Sequence, residues 1–225
     1  MSVYLTGHEG IISTYSSFLE SSDHYMFSQE LAPAGSLLSI MQPGEGLPEE
    51  LVKRCALQIT QALEYMHSKK LVHMDLKPDN ILLMDKRGHR IKLCDFGITL
   101  FTGTVIKSIL LINACMPPEL CALKYKSIVV DPSIDIWALG VVLYATLTGN
   151  YPWKRAVVED SLFQEFVYWQ NNMDHVPPPK GWKNISRRAQ DLFGILLSQE
   201  PSCRNQVGLV LNSVHFPWNF EDATQ

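Results

Sequence analysis

Apolar residues recur at helical spacing between Pro48 and the lysine pair at residues 69–70. Successive apolar residues of this segment lie one to four positions apart along the chain. This spacing places their side chains on one face of an α-helix. Proline is suited to the first turn of a helix, so Pro48 marks the start. We therefore predict one long amphipathic helix. Its apolar face is formed by Leu51, Cys55, Ile59, Ala62, Leu63 and Met66.

Shorter apolar and aromatic runs predict two β-hairpins. Residues 11–19 and 24–31 are separated by a polar turn cluster, which is typical of paired strands. A smaller hairpin is predicted where residues 81–83 and 90–93 flank a polar turn. A two-stranded ribbon with open edges is marginal in water, so we expect a protein partner to cover the first hairpin.

The pattern after residue 132 is mostly helical, with breaks at proline-bearing or polar segments. The predicted helices cover residues 133–148, 159–170, 186–198 and 205–213. The most apolar stretch, residues 134–147, contains Asp135 and is shorter than the roughly 20 residues that span a bilayer. We interpret it as a buried helix, and the chain as an α+β protein without a membrane span.

Composition, charge and cysteine content limit the classes of function that this chain can have. The chain has 225 residues, of which 46% are hydrophobic and 19% charged, enough for one core or for a lobe and a remnant. A net charge of -4 with both signs interspersed argues against a nucleic-acid partner. The N-terminus shows no secretory signal. Five cysteines without a C-x-x-C pair fit reduced thiols, so we expect a cytoplasmic protein.

Two motifs carry the candidate chemistry: residues 73–80, with the sequence His-Met-Asp-Leu-Lys-Pro-Asp-Asn, and the Asp-Phe-Gly that begins at Asp95. Phosphoryl transfer from ATP needs a carboxylate for the hydroxyl nucleophile and oxygen ligands for Mg²⁺. Asp75 fits the first role, and Lys77 would reach the transferred phosphate. Asn80 and Asp95 supply oxygens suited to magnesium. Each motif alone is weak evidence, but their order with a hairpin between them is hard to obtain by chance.

With these motifs in place, the chain resembles the C-terminal lobe of a eukaryotic protein kinase, and within that group the SH3-binding serine/threonine kinases. The similarity covers nearly the whole chain. It implies a kinase-like α+β fold in which residues 1–32 are a remnant of the N-terminal lobe and residues 33–220 form the helical C-terminal lobe. The similarity is carried by residues 32–35, 46–49, 52–55, 71–73, 116–119, 135–140, 147–153 and 165–170.

The resemblance also implies a nucleotide site. Gln29 would be the gatekeeper, and Glu30 and Ala32 would form the hinge whose backbone meets adenine. Leu82 would form the floor of the base pocket, although a plain buried strand is the simpler interpretation of that residue. The implied cofactors are ATP and Mg²⁺, and the implied substrate is a protein hydroxyl.

Two further contacts follow from the resemblance. Glu119 would pair with Arg204 to brace the activation segment. Asp135 would hold the catalytic loop by hydrogen bonds to its backbone. We interpret both as supports rather than catalysts, because a kinase fold without activity would also retain them for stability.

The sequence departs from the family pattern. No segment before residue 73 resembles the glycine-rich loop or the strand lysine, and the glutamate that pairs with that lysine would precede the segment matching residue 8. We therefore expect a member shortened at its N-terminus, with very slow or undetectable transfer by this chain alone. Met74 replaces an arginine that would grip a loop phosphate. Ile112 replaces a threonine, and Ser36 replaces an acidic residue that would face the ribose.

Two functions remain open at this point. The first is a serine/threonine kinase that uses Asp75, Lys77, Asn80 and Asp95. The second is a pseudokinase-like binding or scaffold fragment that retains the helical lobe as a docking surface. The retained catalytic motifs favour the first, whereas the absent lysine and the altered segment at residues 110–116 favour the second.

Overall fold

The structure is a computed structural model that describes residues 1–108, 112–122, 127–205 and 207–219. Its helices are α1 (Ser2–Leu5), α2 (Leu37–Ile40), α3 (Glu49–Ser68), α4 (Pro118–Cys121), α5 (Ser133–Thr148), α6 (Ser161–Gln170), α7 (Arg187–Leu196) and α8 (Leu209–Ser213). Its strands are β1 (Thr14–Glu20), β2 (Tyr25–Gln29), β3 (Leu71–Val72), β4 (Ile81–Leu83), β5 (Ile91–Leu93), β6 (Leu100–Phe101), β7 (Val105–Ile106) and β8 (Ile128–Val129). Short 3-10 helices cover Pro78–Asn80, Lys180–Trp182 and Pro201–Cys203.

Helices α3 and α5 form the centre of the main apolar core. The predicted long helix is confirmed as α3, which begins directly after Pro48 and buries the predicted face. The helix predicted over residues 133–148 is confirmed as α5, and almost every residue along it is buried. A Cβ atom at Gly140 would lie only 2.8 Å from the Leu197 side chain. Glycine therefore lets α5 approach the end of α7 closely.

The first hairpin is confirmed, but β1 begins at Thr14 rather than at residue 11. The preceding residues pair elsewhere. Ile12 N donates to Leu93 O at 2.9 Å, and Leu93 N donates to Gly10 O at 2.8 Å. The segment thus extends the edge of the β4–β5 hairpin and buries Ile12 in the core. The apolar side chains of this segment and of the strand that follows produce one continuous pattern in the sequence.

The β4–β5 hairpin is confirmed with antiparallel register, Leu82 lying opposite Lys92. Alternate residues of each strand face opposite sides. Ile81 and Leu83 are buried in the core, whereas Leu82 and Lys92 face the other side and are half-buried. This alternation determines which side chains of the hairpin reach the candidate site.

The C-terminal helices follow the prediction with shifted ends. Helix α6 begins at Ser161 because the Asp160 carboxylate caps it, accepting from the amides of Leu162 and Phe163. Helix α7 begins after Ser186, whose hydroxyl caps the amide of Ala189. Helix α8 covers only the second half of the predicted 205–213, and residues 201–203 form a separate 3-10 turn before it. Residue 206 lies outside the described residues.

Strands β1 and β2 form a two-stranded sheet with exposed apolar side chains. Phe18 is 59% exposed, and Tyr25 is 81% exposed. Across the described ranges, no helix combines the length and apolar character needed to cross a bilayer.

Candidate active site

A buried carboxylate on α5 holds the start of the loop at residues 73–80. Asp135 is fully buried, and its two oxygens accept from the His73 amide at 2.8 Å and the Met74 amide at 3.0 Å. The Asp135 Oδ2 atom also lies 2.9 Å from His67 Nε2, at the end of α3. The central helix thereby positions the loop backbone just before Asp75, as the resemblance implied.

Three predicted site residues meet within the loop. Lys77 Nζ donates to Asp75 Oδ2 at 2.6 Å. Asn80 Nδ2 donates to the same oxygen at 3.0 Å and to the Asp75 carbonyl at 2.8 Å. With its nitrogen committed to Asp75, the Asn80 amide turns its oxygen away, and none of the described residues donates to that oxygen. The arrangement leaves Asn80 Oδ1 free for a cation.

The charge state of Lys77 follows from its surroundings. Burial lowers the pKa of Lys77, but the hydrogen bond to the Asp75 carboxylate and its negative charge raise it more. The net shift is upward, so Lys77 is a cation at neutral pH. It can therefore offer positive charge to a phosphate beside Asp75.

His73 joins the loop to the Asp-Phe-Gly segment, a role that the sequence analysis missed. The imidazole accepts from the Asp75 amide at Nδ1, 3.3 Å away, so Nε2 carries the proton and donates to the Cys94 carbonyl at 3.1 Å. Burial lowers the pKa of His73, which keeps the ring neutral. The ring of Phe96 packs 5.3 Å from it. The only sequence signal was its position two residues before Asp75.

Asp95 is exposed, with its backbone in the left-handed region at φ 60°. Its carboxylate accepts from the Gly97 amide at 3.3 Å. The next residue, Phe96, is buried. Met74, at φ 71°, is likewise strained. Strained non-glycine backbone of this kind concentrates at functional sites.

A cavity of about 770 Å³ opens beside Asp95. Glu30, Leu82 and Asp95 are among the residues that line it. Ala32 is not among the residues that line it and follows Glu30 by two positions. Gln29 also lines the cavity, and its Nε2 donates to Thr14 Oγ1 at 3.0 Å.

Contacts that the sequence analysis did not predict hold the Glu30 side chain of the predicted hinge. The Glu30 carboxylate pairs with Lys92 Nζ at 2.9 Å and accepts from the Ser13 amide at 3.3 Å. Lys92 Nζ also donates to the Ile11 carbonyl at 3.3 Å. Among the residues that the structure describes, none bonds to the Glu30 carbonyl or the Ala32 amide. These two backbone groups are therefore free to bind a ligand.

The Glu30–Lys92 pair predicts an acid-dependent stability difference. Burial raises the pKa of Glu30, but hydrogen bonds from Lys92 and Ser13 lower it below its usual range. A carboxyl with a lowered pKa stabilises the fold above its unfolded pKa, and this contribution is lost as pH falls through the folded pKa. We expect Lys92→Met to lower the free energy of unfolding by at most about 1 kcal/mol at pH 7, because the pair is partly solvated.

The measurement is urea denaturation between pH 7 and pH 3. The difference between wild type and Lys92→Met should stay constant down to about pH 5 and shrink below that. The exposed Lys86→Met in the β4–β5 turn is the matched control and should show no such trend. A difference that stayed constant to pH 3 would contradict the assignment.

Glu119 and Arg204 form the predicted pair. Arg204 is fully buried, and its Nη2 donates to both Glu119 carboxylate oxygens at 2.9 Å. Its Nη1 donates to the Ser133 carbonyl at 3.2 Å, and the guanidinium lies 5.2 Å from the Trp137 ring centroid. Through these bonds Arg204 connects Glu119 in α4 with Ser133 at the start of α5.

The positions that depart from the family pattern have structural roles of their own. Ser36 caps α2, because its hydroxyl accepts from the Ser39 amide. Met74 is buried among apolar side chains. Ile112 is 43% exposed, and residues 109–111 of the altered segment lie outside the described residues.

The candidate magnesium ligands fit the chemistry of that ion. Asn80 offers an amide oxygen and Asp95 an exposed carboxylate, and both are hard oxygen donors. In the part of the chain that the structure describes, no group of three or more His, Cys, Asp or Glu side chains could hold a metal ion. A site of two protein ligands suits Mg²⁺, which retains waters and binds substrate phosphates.

Comparison with known proteins identifies the family. The chain matches the family described as "Protein kinase domain" over residues 2–216. It is 40% identical over 225 residues to serine/threonine-protein kinase SBK1 of Danio rerio, covering 100% of this chain and 58% of that protein. It is 38% identical over 217 residues to SBK2 of Mus musculus, covering 94% and 59%.

A more distant relative is serine/threonine-protein kinase meng-po of Drosophila melanogaster, which is 36% identical over 218 residues, 95% of this chain and 47% of that protein. The chain thus spans about half the length of these relatives. The fold, the bonded Asp75–Lys77–Asn80 loop and these matches agree. The chain belongs to the protein kinase family, in its SH3-binding kinase group.

Proposed function

We propose that this protein transfers the γ-phosphoryl group of ATP to serine or threonine hydroxyls of a protein substrate. The observation that carries the proposal is the bonded set of Asp75, Lys77 and Asn80. Asp75 is the base, and Lys77 binds the transferred phosphate. Asn80 and Asp95 hold Mg²⁺.

Adenine binds in the cavity beside Asp95. The residues that would hold it are Glu30 and Ala32, through the free backbone carbonyl and amide, and Leu82, through its apolar side chain. The ion pair with Lys92 holds the Glu30 side chain in place. In this proposal residues 1–32 belong to the N-terminal lobe and residues 33–220 form the C-terminal lobe.

Asp75 and Lys77 each have a defined role in the reaction. Lys77 and Asn80 both donate to Asp75 Oδ2, and no described residue donates to Oδ1. Oδ1 therefore accepts the substrate hydroxyl proton as the oxygen attacks phosphorus. The cationic Lys77 stabilises negative charge on the phosphoryl oxygens. Magnesium, when bound, neutralises charge on the ATP phosphates.

We also propose a rate for the transfer that these 225 residues catalyse on their own. Their sequence has no segment before residue 73 that resembles the glycine-rich loop or the strand lysine of kinases. Those groups position the phosphates in kinases. We therefore propose that these residues alone transfer phosphate very slowly.

A second candidate is a binding or scaffold role without catalysis. The observation that favours it is the apolar exterior of the β1–β2 sheet, where Met26 and Phe27 are 50% and 54% exposed. Such a surface needs a covering partner. In this alternative the helical lobe is retained as a docking surface and catalysis is lost.

Thermal unfolding with Mg-ATP tests the proposal. A ligand that binds only the folded state, at about 100 times its Kd, stabilises the protein by about 2.7 kcal/mol. For a chain of this size the melting temperature should rise by roughly 5–10 °C. We expect Asp95→Ala to lose the rise, because it removes a magnesium ligand, and the remote Asp23→Ala to keep it.

The same preparations then enter a phosphotransfer assay with a basic protein substrate. Any transfer by the wild type should be lost in Asp75→Asn, which retains the fold but cannot accept the proton. A cooperative melt with no nucleotide shift would favour the scaffold function. Turnover comparable to that of a complete kinase would contradict the proposed slow rate.

A further inference from the structure

The turn between β4 and β5 concentrates positive charge on a chain whose net charge is -4. Residues 84–92 hold four of the chain's 19 Lys and Arg residues but one of its 23 Asp and Glu residues. Lys86, Arg87 and Arg90 are exposed, and none of these side chains bonds to a residue that the structure describes. The fourth cation, Lys92, pairs with Glu30. We call residues 85–90 the basic turn.

Hydrogen bonds from α3 hold the backbone of the basic turn. Arg54 donates to the Arg87 carbonyl from Nη2 at 2.9 Å and from Nε at 3.2 Å. Gln58 donates from Nε2 to the Gly88 carbonyl at 2.9 Å, and its Oε1 accepts from the Ile91 amide at 2.9 Å. Gly88 has φ at 66°, a backbone conformation that favours glycine. The helix therefore fixes the turn and adds the half-buried Arg54 guanidinium to its charge.

The single acidic residue of the basic turn commits its carboxylate to the turn itself. Asp85 Oδ1 accepts from the amides of Arg87 at 2.9 Å and His89 at 3.2 Å, and Oδ2 accepts from the Arg90 amide at 3.1 Å. The His89 ring lies beside the same carboxylate, with Nδ1 3.2 Å from Oδ1. Both oxygens thus bond to the turn rather than to its lysine or arginine side chains. A backbone fixed in this way reduces the entropy that a binding partner must overcome.

A cavity of about 160 Å³ lies beside the basic turn, between the turn, α3 and the segment before β1. Arg90, His8 and Gln61 line it with hydrogen-bond donors. The His8 ring stacks on Tyr65 with centroids 4.5 Å apart, and its Nδ1 accepts from the Gly10 amide at 3.1 Å. Burial lowers the pKa of His8, which keeps the ring neutral, so Nε2 carries the proton. In the described ranges, no group accepts from Nε2 or bonds to the Gln61 amide.

These donors favour an anionic ligand, and the positions of the cations favour an extended acidic peptide. Carboxylates accept hydrogen bonds from guanidinium, imidazole and amide groups. A single small anion in the cavity would leave Lys86 and Arg87 unpaired. A run of aspartate or glutamate residues can reach both positions, because about four to six extended residues cover about 13–20 Å.

We propose that the basic turn and its cavity bind an acidic segment of a partner protein. One carboxylate of that segment enters the cavity and meets Arg90, His8 and Gln61. Further carboxylates pair with Lys86 and Arg87 on the turn. None of the residues that line the candidate nucleotide cavity lines this one. The docking site is therefore separate from the candidate active site, and the inference does not depend on the proposed function.

Fluorescence anisotropy with a labelled peptide of about six glutamates tests the proposal on the full chain. We expect binding that weakens as salt rises, because salt screens exposed charges. Arg90→Gln should raise Kd by about tenfold, since it removes a charge-assisted hydrogen bond. The double variant Lys86→Gln with Arg87→Gln should have an effect of about the same size. The matched control Lys154→Gln removes an exposed cation between α5 and α6 and should change Kd by less than about twofold.

Two further variants test whether a carboxylate enters the cavity. Glu9 is exposed and also lines the cavity, where its negative charge opposes an anion. Glu9→Gln should therefore lower Kd by about two- to threefold. Gln61→Leu removes an amide donor and should raise Kd by about two- to threefold. Each variant is first shown to retain the wild-type melting temperature, so that a change in Kd does not report unfolding.

The proposal is overturned if the peptide fails to bind at low salt, or if Arg90→Gln and Lys154→Gln have equal effects. An unchanged Kd in both Glu9→Gln and Gln61→Leu would overturn entry into the cavity. Preferential binding of inorganic phosphate or of phosphatidylserine vesicles would overturn the assignment to an acidic peptide. Peptide binding and the Mg-ATP melting shift are separate readouts, so the failure of one proposal leaves the other standing.

Discussion

Asp135→Asn is expected to lower the free energy of unfolding by about 3–5 kcal/mol. The buried carboxylate bonds to three groups, the His73 amide, the Met74 amide and His67 Nε2. Asparagine offers one oxygen and one amino group, so it leaves buried donors facing its own N–H bonds. Urea denaturation followed by tryptophan fluorescence measures the change.

The matched control is Asp131→Asn, because Asp131 is exposed and precedes the same helix. Asp131 Oδ1 accepts from the Ser133 amide at 2.9 Å, and the amide oxygen of asparagine can accept the same bond. Its effect should be within about 0.5 kcal/mol. Equal losses for the two variants would show that Asp135 acts through charge alone and not through the loop backbone.

Glu119→Gln is expected to cost about 3–5 kcal/mol, because it leaves the fully buried Arg204 guanidinium without its carboxylate. The same denaturation experiment measures the loss. The double variant Glu119→Leu with Arg204→Met should recover most of it, since an apolar pair of similar volume avoids the desolvation of two ions.

A surface ion pair provides the comparison. Arg187 Nη2 lies 3.0 Å from Asp174 Oδ1, and the Asp174 side chain is 83% exposed. Asp174→Asn should change stability by less than about 0.5 kcal/mol, because solvent screens the pair. A double variant as unstable as Glu119→Gln would contradict the account of a buried, uncompensated charge.

Local patterns in the sequence determined much of the fold. Helices α3 and α5 and the β4–β5 hairpin were predicted because helical spacing, alternation and turn residues act over a few neighbouring positions. The positions of Asp75, Lys77 and Asn80 were predicted for the same reason: they lie within one short loop and meet there. The start of β1 was misplaced because residues 11–12 pair with β5, a contact that no local pattern encodes.

The tertiary structure decided contacts between distant segments that support the candidate site. The resemblance to kinases had implied that Asp135 holds the loop backbone, and the structure shows its bond to the His73 amide 62 positions away. No pattern predicted that Lys92 in β5 pairs with Glu30 after β2. The apolar side chains packed around Met74 come from strands separated by tens of residues. Such contacts depend on how buried faces pack together, and residue spacing along the chain carries no record of that packing. The sequence by itself determined the elements and the order of the motifs, and the packing of α5 and the hairpins against the loop decided the geometry of the site.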